Sequence, residues 1–180
     1  MRDGAREVPV RRVRYVVAGS LDGYIAGPKG EADWIIMDPD IDFAALFQQF
    51  DAFLIGRRTF ETMARAGKAV TPGVKTFVFS RTLRQSDHKG VTIVAENAAD
   101  TVAGLRAQKG KDIWLFGGGS LFRSLLDAGV VDTVEVAVVP VLLGGGIPLL
   151  PPPVRQAKLK LTGHKVYEKT GIVSLEYAVK

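Results

Sequence analysis

Residues 115–122, LFGGGSLF, place three consecutive glycines between two apolar segments. The preceding KDIWLF has the pattern of a buried strand, and SLFRSLLDAG has the apolar spacing of a helix closed by Gly129. Residues without Cβ allow positive φ and the close approach of a ligand. A tight contact between helix and sheet would explain the glycines equally well. The spacing is not the G-x-G-x-x-G fingerprint, since position 122 is Phe.

Outward from this stretch, strand and helix patterns alternate along the chain up to about residue 130, and strand patterns dominate afterwards. The predicted strands are 14–18, 24–26, 51–56, 75–80, 91–95, 111–116, 131–141, 157–167 and 171–180, and the predicted helices start at 42, 57, 97 and 120. This order predicts a three-layer α/β domain with a central mixed, mostly parallel sheet, flanking helices and antiparallel C-terminal strands. We expect a single domain at 13–180, preceded by a flexible basic arm at 1–12.

Composition narrows the function classes. The chain has 180 residues, a net charge of +5 and no cysteine. Residues 1–14 contain five arginines and two acidic residues, so the rest of the chain is only weakly basic and we expect no nucleic-acid partner. No apolar stretch resembles a signal peptide, and the most apolar region, 134–154, is broken by prolines and glycines. We therefore expect no membrane association and a cytoplasmic location, which the absence of cysteine also fits.

Two more strand-to-helix corners carry positive charge. In LIGRRTFE a strand ends at Gly56 and a helix begins with Arg57 and Arg58, where cations oppose the helix dipole. An anion would reverse that penalty, whereas two solvated arginines would simply tolerate it. In VFSRTL a strand ends at Ser80 and Arg81, which alone is typical of a solvated turn. If the two corners lie side by side, they suit a ligand with several phosphates, such as NADP.

In combination, these corners resemble the dihydrofolate reductase-like superfamily, and most closely the reductase domain of bacterial riboflavin biosynthesis, the RibD C-terminal type. The matching motifs are SLDGYIA (20–26), DWI (33–35), DAFLIGRRTFE (51–61), FSRT (79–82), WLFGGGSLF (114–122) and PVLLGGGIPLL (140–150). They run in family order over nearly the whole chain. The resemblance implies a small stand-alone NADPH-dependent reductase.

The resemblance also implies a cofactor site. It assigns the phosphates of NADPH to the GRRT helix start, the adenosine 2′-phosphate to the S-R pair, the pyrophosphate to the glycine stretch and the nicotinamide to the end of the first strand. The corresponding residues are Gly56, Arg57, Arg58, Thr59, Ser80, Arg81, Gly117, Gly118, Gly119, Ser120, Leu121, Ala18 and Ile25. The second triplet, 144–146, follows a strand between two prolines with no helix after it, so we interpret it as a structural turn near the cleft.

For the substrate, the resemblance implies a pteridine or a ribosylaminopyrimidine. Related enzymes place one carboxylate early in the first helix, and Asp42 matches that pattern best, with Asp40 second. Asp42 is either the catalytic proton source or the cap of its helix. Further candidate substrate-binding residues are Ser20, Asp22, Trp34 and Phe43. Trp34, Phe43 and Phe47 could form an aromatic wall, although Phe47 has the spacing of an ordinary core residue.

Other expectations concern partners and alternatives. Neither His88 nor His164 has a partner at metal-ligand spacing, so we expect no metal. The apolar C-terminal strands, together with the resemblance, predict a homodimer. The alternative function is a catalytically inactive NADP(H)-binding or regulatory module with the same fold.

Overall fold

The computed structural model describes residues 10–153 and 155–180. Within them, strands alternate with helices up to Asp127 and strands follow, as predicted. The elements, in chain order, are β1 (Val13–Ser20), β2 (Tyr24–Ala26), α1 (Phe43–Phe47), β3 (Phe50–Gly56), α2 (Arg57–Arg65), β4 (Lys75–Phe79), a short 3-10 turn (Gln85–Asp87), β5 (Thr92–Val94), α3 (Ala98–Arg106), β6 (Asp112–Gly117), α4 (Gly119–Asp127), β7 (Thr133–Val139), β8 (Ile147–Pro148), β9 (Leu159–Tyr167) and β10 (Ile172–Val179).

The main sheet has eight strands in the order β5-β4-β3-β6-β1-β7-β10-β9. The six strands from β5 to β7 pair in parallel, and β10 pairs antiparallel with both β7 and β9. This confirms the predicted mixed, mostly parallel sheet with antiparallel C-terminal strands. The two-stranded sheet of β2 and β8 was not predicted, because β8 has only two residues.

Two apolar clusters pack against opposite faces of the sheet and define three layers. On one face, Leu54 and Leu115 pack with Phe122 of α4 and Val102 of α3. On the other face, Phe53 and Ile55 pack with Phe60 of α2, and Trp114 joins them. Neighbouring residues of β3 point to opposite faces, as the two-residue period of a strand requires.

Most element boundaries differ from the sequence prediction by one or two residues, and two of the differences have a clear structural cause. The predicted first helix included Phe50, but α1 ends at Phe47, and Phe50 begins β3 beneath the Arg14 guanidinium, 4.8 Å from its ring centroid. The strand predicted at 131–141 ends at Val139 instead, because Pro140 has no N–H to continue the ladder.

The first described residues belong to the domain rather than to an arm. The Arg11 side chain is buried, ion-paired with Asp51, and donates from Nε to the carbonyl of Lys111 at 2.6 Å. Arg12 donates to Asp112 at 2.7 Å. The remainder of the predicted arm, residues 1–9, lies outside the described residues.

Candidate active site

The three predicted corners lie side by side. Strands β4, β3 and β6 are parallel neighbours, so their carboxyl ends meet at one edge of the sheet. Gly56 pairs with Phe79, immediately before Ser80, and Ile55 pairs with Gly117. Ligands of open α/β sheets bind at such an edge.

The first corner is the amino end of α2, which is built to meet an anion. Its N-cap is Gly56, no side chain caps the helix, and the first turn contains no acidic residue. Free N–H groups and the helix dipole therefore coincide with Arg57 and Arg58, both exposed. Arg57 pairs with Glu61 at 3.2 Å, whereas Arg58 and Thr59 line the large cavity described below.

The second corner holds its own turn together. The Ser80 side chain is buried, and its Oγ accepts from the backbone N–H of Thr82 at 3.2 Å and of Leu83 at 3.1 Å. Ser80 therefore shapes the loop, while Arg81 next to it is exposed to solvent.

The third corner gives its glycines different tasks. Gly117 has a φ of 113°, which side chains rarely adopt, and its peptide bond to Gly118 is cis. Gly118 is the N-cap of α4, without a capping side chain or an acid in the first turn. Gly119 packs instead of facing a ligand, because a Cβ there would lie 2.6 Å from the Pro148 carbonyl oxygen. In the first turn of α4, Ser120 is exposed and Leu121 half-buried.

A cavity of about 1010 Å³ opens beside these corners. Its floor is one face of the sheet, and α1 forms a wall with Phe43 and Phe47. Phe47 is 38% exposed and packs against Trp114 with ring centroids 5.0 Å apart, so it forms part of the cavity wall and is not the buried core residue that its spacing predicted. The segment after β2 forms the opposite side, and the cavity is apolar enough to hold a flat ring system.

The structure brings eight of the predicted site residues to this cavity: Ala18, Ile25, Asp40, Asp42, Phe43, Arg58, Thr59 and Gly118. It does not bring Trp34 there, since its indole Nε1 donates to the Glu31 carbonyl at 3.1 Å. The side chains of Ser20 and Asp22 also lie elsewhere.

Ser20 and Asp22 clamp the second glycine triplet. Ser20 Oγ donates to Asp22 at 2.6 Å, and the Asp22 carboxylate accepts from the N–H of Leu143 and Gly144 at 3.1 and 2.7 Å. These bonds, that of Ser20 first, hold the pKa of Asp22 below its ordinary value. The triplet 144–146 is a bend leading into β8, and a substrate role for Ser20 and Asp22 stays a prediction.

Asp42 caps α1. Its Oδ1 accepts from the N–H of Ala45 at 2.8 Å, and the side chain is exposed at the cavity. Asp40 also lines the cavity and pairs with Lys169 at 2.9 Å. Beside it, Asp38 is buried and accepts from Thr170 Oγ1 at 2.7 Å, which lowers the pKa of Asp38 and fastens this loop to the β9–β10 turn.

The sequence analysis missed a polar cluster that contributes Gln49 and Glu135 to the cavity. Arg14 donates to both Glu135 oxygens at 2.7 Å and to Gln49 Oε1 at 2.6 Å. Burial alone would lower the pKa of Arg14, but the bonds and charges of Glu135 and Asp112 outweigh it and raise that pKa. In the sequence, the sign of this cluster is Glu135, a single charged residue within an apolar strand pattern.

Across residues 10–153 and 155–180, no three His, Asp or Glu side chains are grouped so that they could hold a metal ion. In the same residues, no helix has the length and apolar character needed to cross a membrane.

The sheet order and the flanking helices form a dihydrofolate reductase-like α/β fold. The structure of dihydrofolate reductase from Enterococcus faecalis, complexed with NADP(H), superposes with a TM-score of 0.66 at 19% identity, covering 93% of this chain and 94% of that one. A putative riboflavin biosynthesis protein from Shewanella sp. PV-4 gives a TM-score of 0.78 at 28% identity, covering 94% and 99%.

The RibD C-terminal domain model matches residues 11–173, so the chain belongs to the RibD C-terminal domain family. The uncharacterized protein YyaP of Bacillus subtilis (strain 168) is 34% identical over 179 residues, which cover 93% of this chain and 94% of YyaP. The predicted family and fold are thereby confirmed.

Proposed function

We propose that the protein is an NADPH-dependent reductase that transfers hydride to a small heterocyclic substrate of the pteridine or ribosylaminopyrimidine type. One observation carries the proposal: two uncapped helix N-termini and the exposed arginines 57, 58 and 81 stand at one sheet edge, beside an apolar cavity. Uncapped helix N-termini with guanidinium groups bind phosphates.

The residues at this edge fit a dinucleotide. The starts of α2 and α4 would hold the pyrophosphate through N–H groups, and Arg81 would meet the 2′-phosphate. Ala18 and Ile25 line the cavity where the nicotinamide is expected. Reduced nicotinamide supplies the hydride when it is bound, and the protein contributes orientation and exclusion of water.

For the substrate, the chain offers an apolar floor, the Phe43 ring and the Asp42 carboxylate. Phe43 and Asp42 line the same cavity. We infer that the cavity stacks a flat ring and that Asp42 holds the proton for the reduced product.

Titration with NADPH and NADH tests the cofactor part of the proposal. We expect NADPH to bind more tightly, and Arg81→Ala to weaken NADPH about tenfold or more while leaving NADH unchanged. Arg84→Ala, three residues further along the same exposed loop, is the matched control. Equal affinity for the two cofactors, or tighter binding of NADH, would contradict the proposal.

One observation favours the inactive NADP(H)-binding module instead: Asp42 already uses an oxygen to cap α1. NADPH oxidation measured with dihydrofolate and with the pyrimidine intermediate, using Asp42→Asn as control, distinguishes the two functions. Tight NADPH binding without oxidation of NADPH in either assay would favour the inactive module.

We further propose a homodimer in the cytoplasm. The edge strand β9 supports the dimer, because Leu159, Leu161 and Val166 are 41%, 49% and 56% exposed. Light scattering on the purified protein should give twice the chain mass of 19.4 kDa. A monomer mass at micromolar concentration would refute the dimer.

A further inference from the structure

One cluster at the cavity has no part in the proposed cofactor binding or proton supply. It consists of Arg14 on β1, Gln49 before β3 and Glu135 on β7. Arg14 Nη1 donates to Gln49 Oε1 at 2.6 Å, while Nε and Nη2 donate to the two Glu135 oxygens at 2.7 Å each. A single guanidinium thus binds both an amide and a carboxylate.

Donor and acceptor chemistry decides how Gln49 is turned. A guanidinium has only donors, so Gln49 must direct its oxygen toward Arg14 and its NH₂ group away. Gln49 Nε2 donates one of its two hydrogens to the Ala45 carbonyl oxygen over a long 3.4 Å, and the other hydrogen has no partner among the described residues.

Glu135 keeps acceptor capacity in the same place. Its Oε1 accepts from Arg14 and from Thr133 Oγ1 at 2.7 Å, whereas Oε2 accepts from Arg14 alone within the described residues. Each carboxylate oxygen has two lone-pair sites. Gln49 and Glu135 both line the cavity, which therefore contains a donor and an acceptor bound by the same guanidinium.

Along strand β7, the cluster lies two residues from the position where the nicotinamide is expected. Glu135 precedes Ala137 by two residues on β7, and Ala137 pairs with Ala18 on β1. Two residues along a strand span roughly 7 Å. Val16 and Trp114 line the floor at this end of the cavity, so the polar pair is set in apolar surroundings.

We propose that Gln49 and Glu135 recognise the edge of a substrate ring on which an acceptor adjoins a donor, as C=O adjoins N–H in a cyclic amide. Arg14 is the positioning residue for both. This inference rests on the proposed function and names the substrate feature that the cavity selects. Polar groups that a ligand leaves unpaired in a desolvated site discriminate strongly against that ligand.

Fluorescence titration with lumazine and 1,3-dimethyllumazine tests the inference, with and without NADP⁺. The dimethyl compound keeps both carbonyls but replaces both ring N–H groups. We expect it to bind about 10- to 100-fold more weakly than lumazine. Glu135→Gln should weaken lumazine binding about tenfold and leave dimethyllumazine binding unchanged. Gln49→Leu should weaken the binding of both compounds about tenfold, because both keep the carbonyls to which Gln49 donates.

Asp112→Asn is the matched control. Asp112 accepts from the same guanidinium at 3.3 Å but does not line the cavity, so this variant should lower Tm and keep the ratio of the two affinities. Circular dichroism verifies folding, and Gln49 is exposed, so Gln49→Leu provides the readout even if Glu135→Gln is unfolded.

The inference would be overturned by no lumazine binding below millimolar, by equal affinity for both compounds, by an affinity ratio that survives in folded Glu135→Gln, or by an unchanged lumazine affinity in folded Gln49→Leu. NADPH affinity is measured separately on each variant. If the wild-type protein does not bind NADPH but still binds lumazine more tightly than dimethyllumazine, the proposed function is refuted. The recognition of the ring edge by Gln49 and Glu135 then still stands.

Discussion

Replacing Arg58 with alanine should stabilise the cofactor-free protein and weaken its binding of NADPH. Arg58 is exposed in the first turn of α2, and within the described residues it has no ion pair. A cation at a helix N-terminus is unfavourable by about 0.3–1 kcal/mol. For a chain of this size, 1 kcal/mol corresponds to roughly 2–4 °C in Tm, so we expect a rise of about 1–4 °C.

Binding should change in the opposite direction, because a bound phosphate reverses the sign of the Arg58 interaction. Loss of one charge-assisted hydrogen bond predicts an NADPH Kd about 10- to 100-fold higher. Thermal melts with and without saturating NADPH, together with fluorescence titration, measure both effects.

Arg57→Ala is the matched control for the stability effect. Arg57 occupies the same turn but pairs with Glu61 at 3.2 Å, and an exposed pair of this kind contributes about 0.3–0.5 kcal/mol. Its removal should therefore change the cofactor-free Tm less than removal of Arg58. A fall of more than about 1 °C in the Tm of cofactor-free Arg58→Ala, or an unchanged NADPH Kd, would refute the reasoning.

Three further predictions follow from other parts of the site. Asp42→Asn should keep the α1 cap and the wild-type Tm yet slow NADPH oxidation about 100-fold, because asparagine caps as well as aspartate but carries no acidic proton; an unchanged rate would leave Asp42 as a cap only. Gly119→Ala should lower stability by about 1–3 kcal/mol, since the added Cβ meets backbone at 2.6 Å. Gly104→Ala in α3, where a Cβ meets nothing within 4 Å, should raise stability by about 0.5–1 kcal/mol, and chemical denaturation that gave both variants the same sign would contradict the packing argument. Finally, the lowered pKa of Asp38 means that its bond to Thr170 contributes stability above the unfolded pKa of about 4, and that this contribution is lost as pH falls through the lower folded pKa. In Asp38→Asn, the free energy of unfolding should depend less on pH on the acid side. A pH dependence identical to that of the wild-type protein would contradict the contribution of Asp38.

Much of the fold could be predicted because its signals are local. The continuous apolar run of β3 and the helical spacing of α2 depend on neighbours along the chain. Strand β8 was missed because two residues carry no period, and its partner β2 lies over 100 positions earlier. The first helix was predicted too long because Phe50 continues its apolar spacing, although tertiary packing places that ring in the sheet.

The candidate site also combines features with local sequence signals and features that depend on tertiary contacts. By itself, the sequence located the three strand ends that form the corners, the arginines at the start of α2 and Asp42 as a candidate cap, since each depends on a few consecutive residues. Only the tertiary structure decided that β4, β3 and β6 are neighbours and that Gly119 packs against residues 148–151. It also brought Arg14, Gln49 and Glu135 together from three separate strands and loops. Such contacts join positions up to 121 residues apart, and no pattern of neighbouring residues along the chain can specify them.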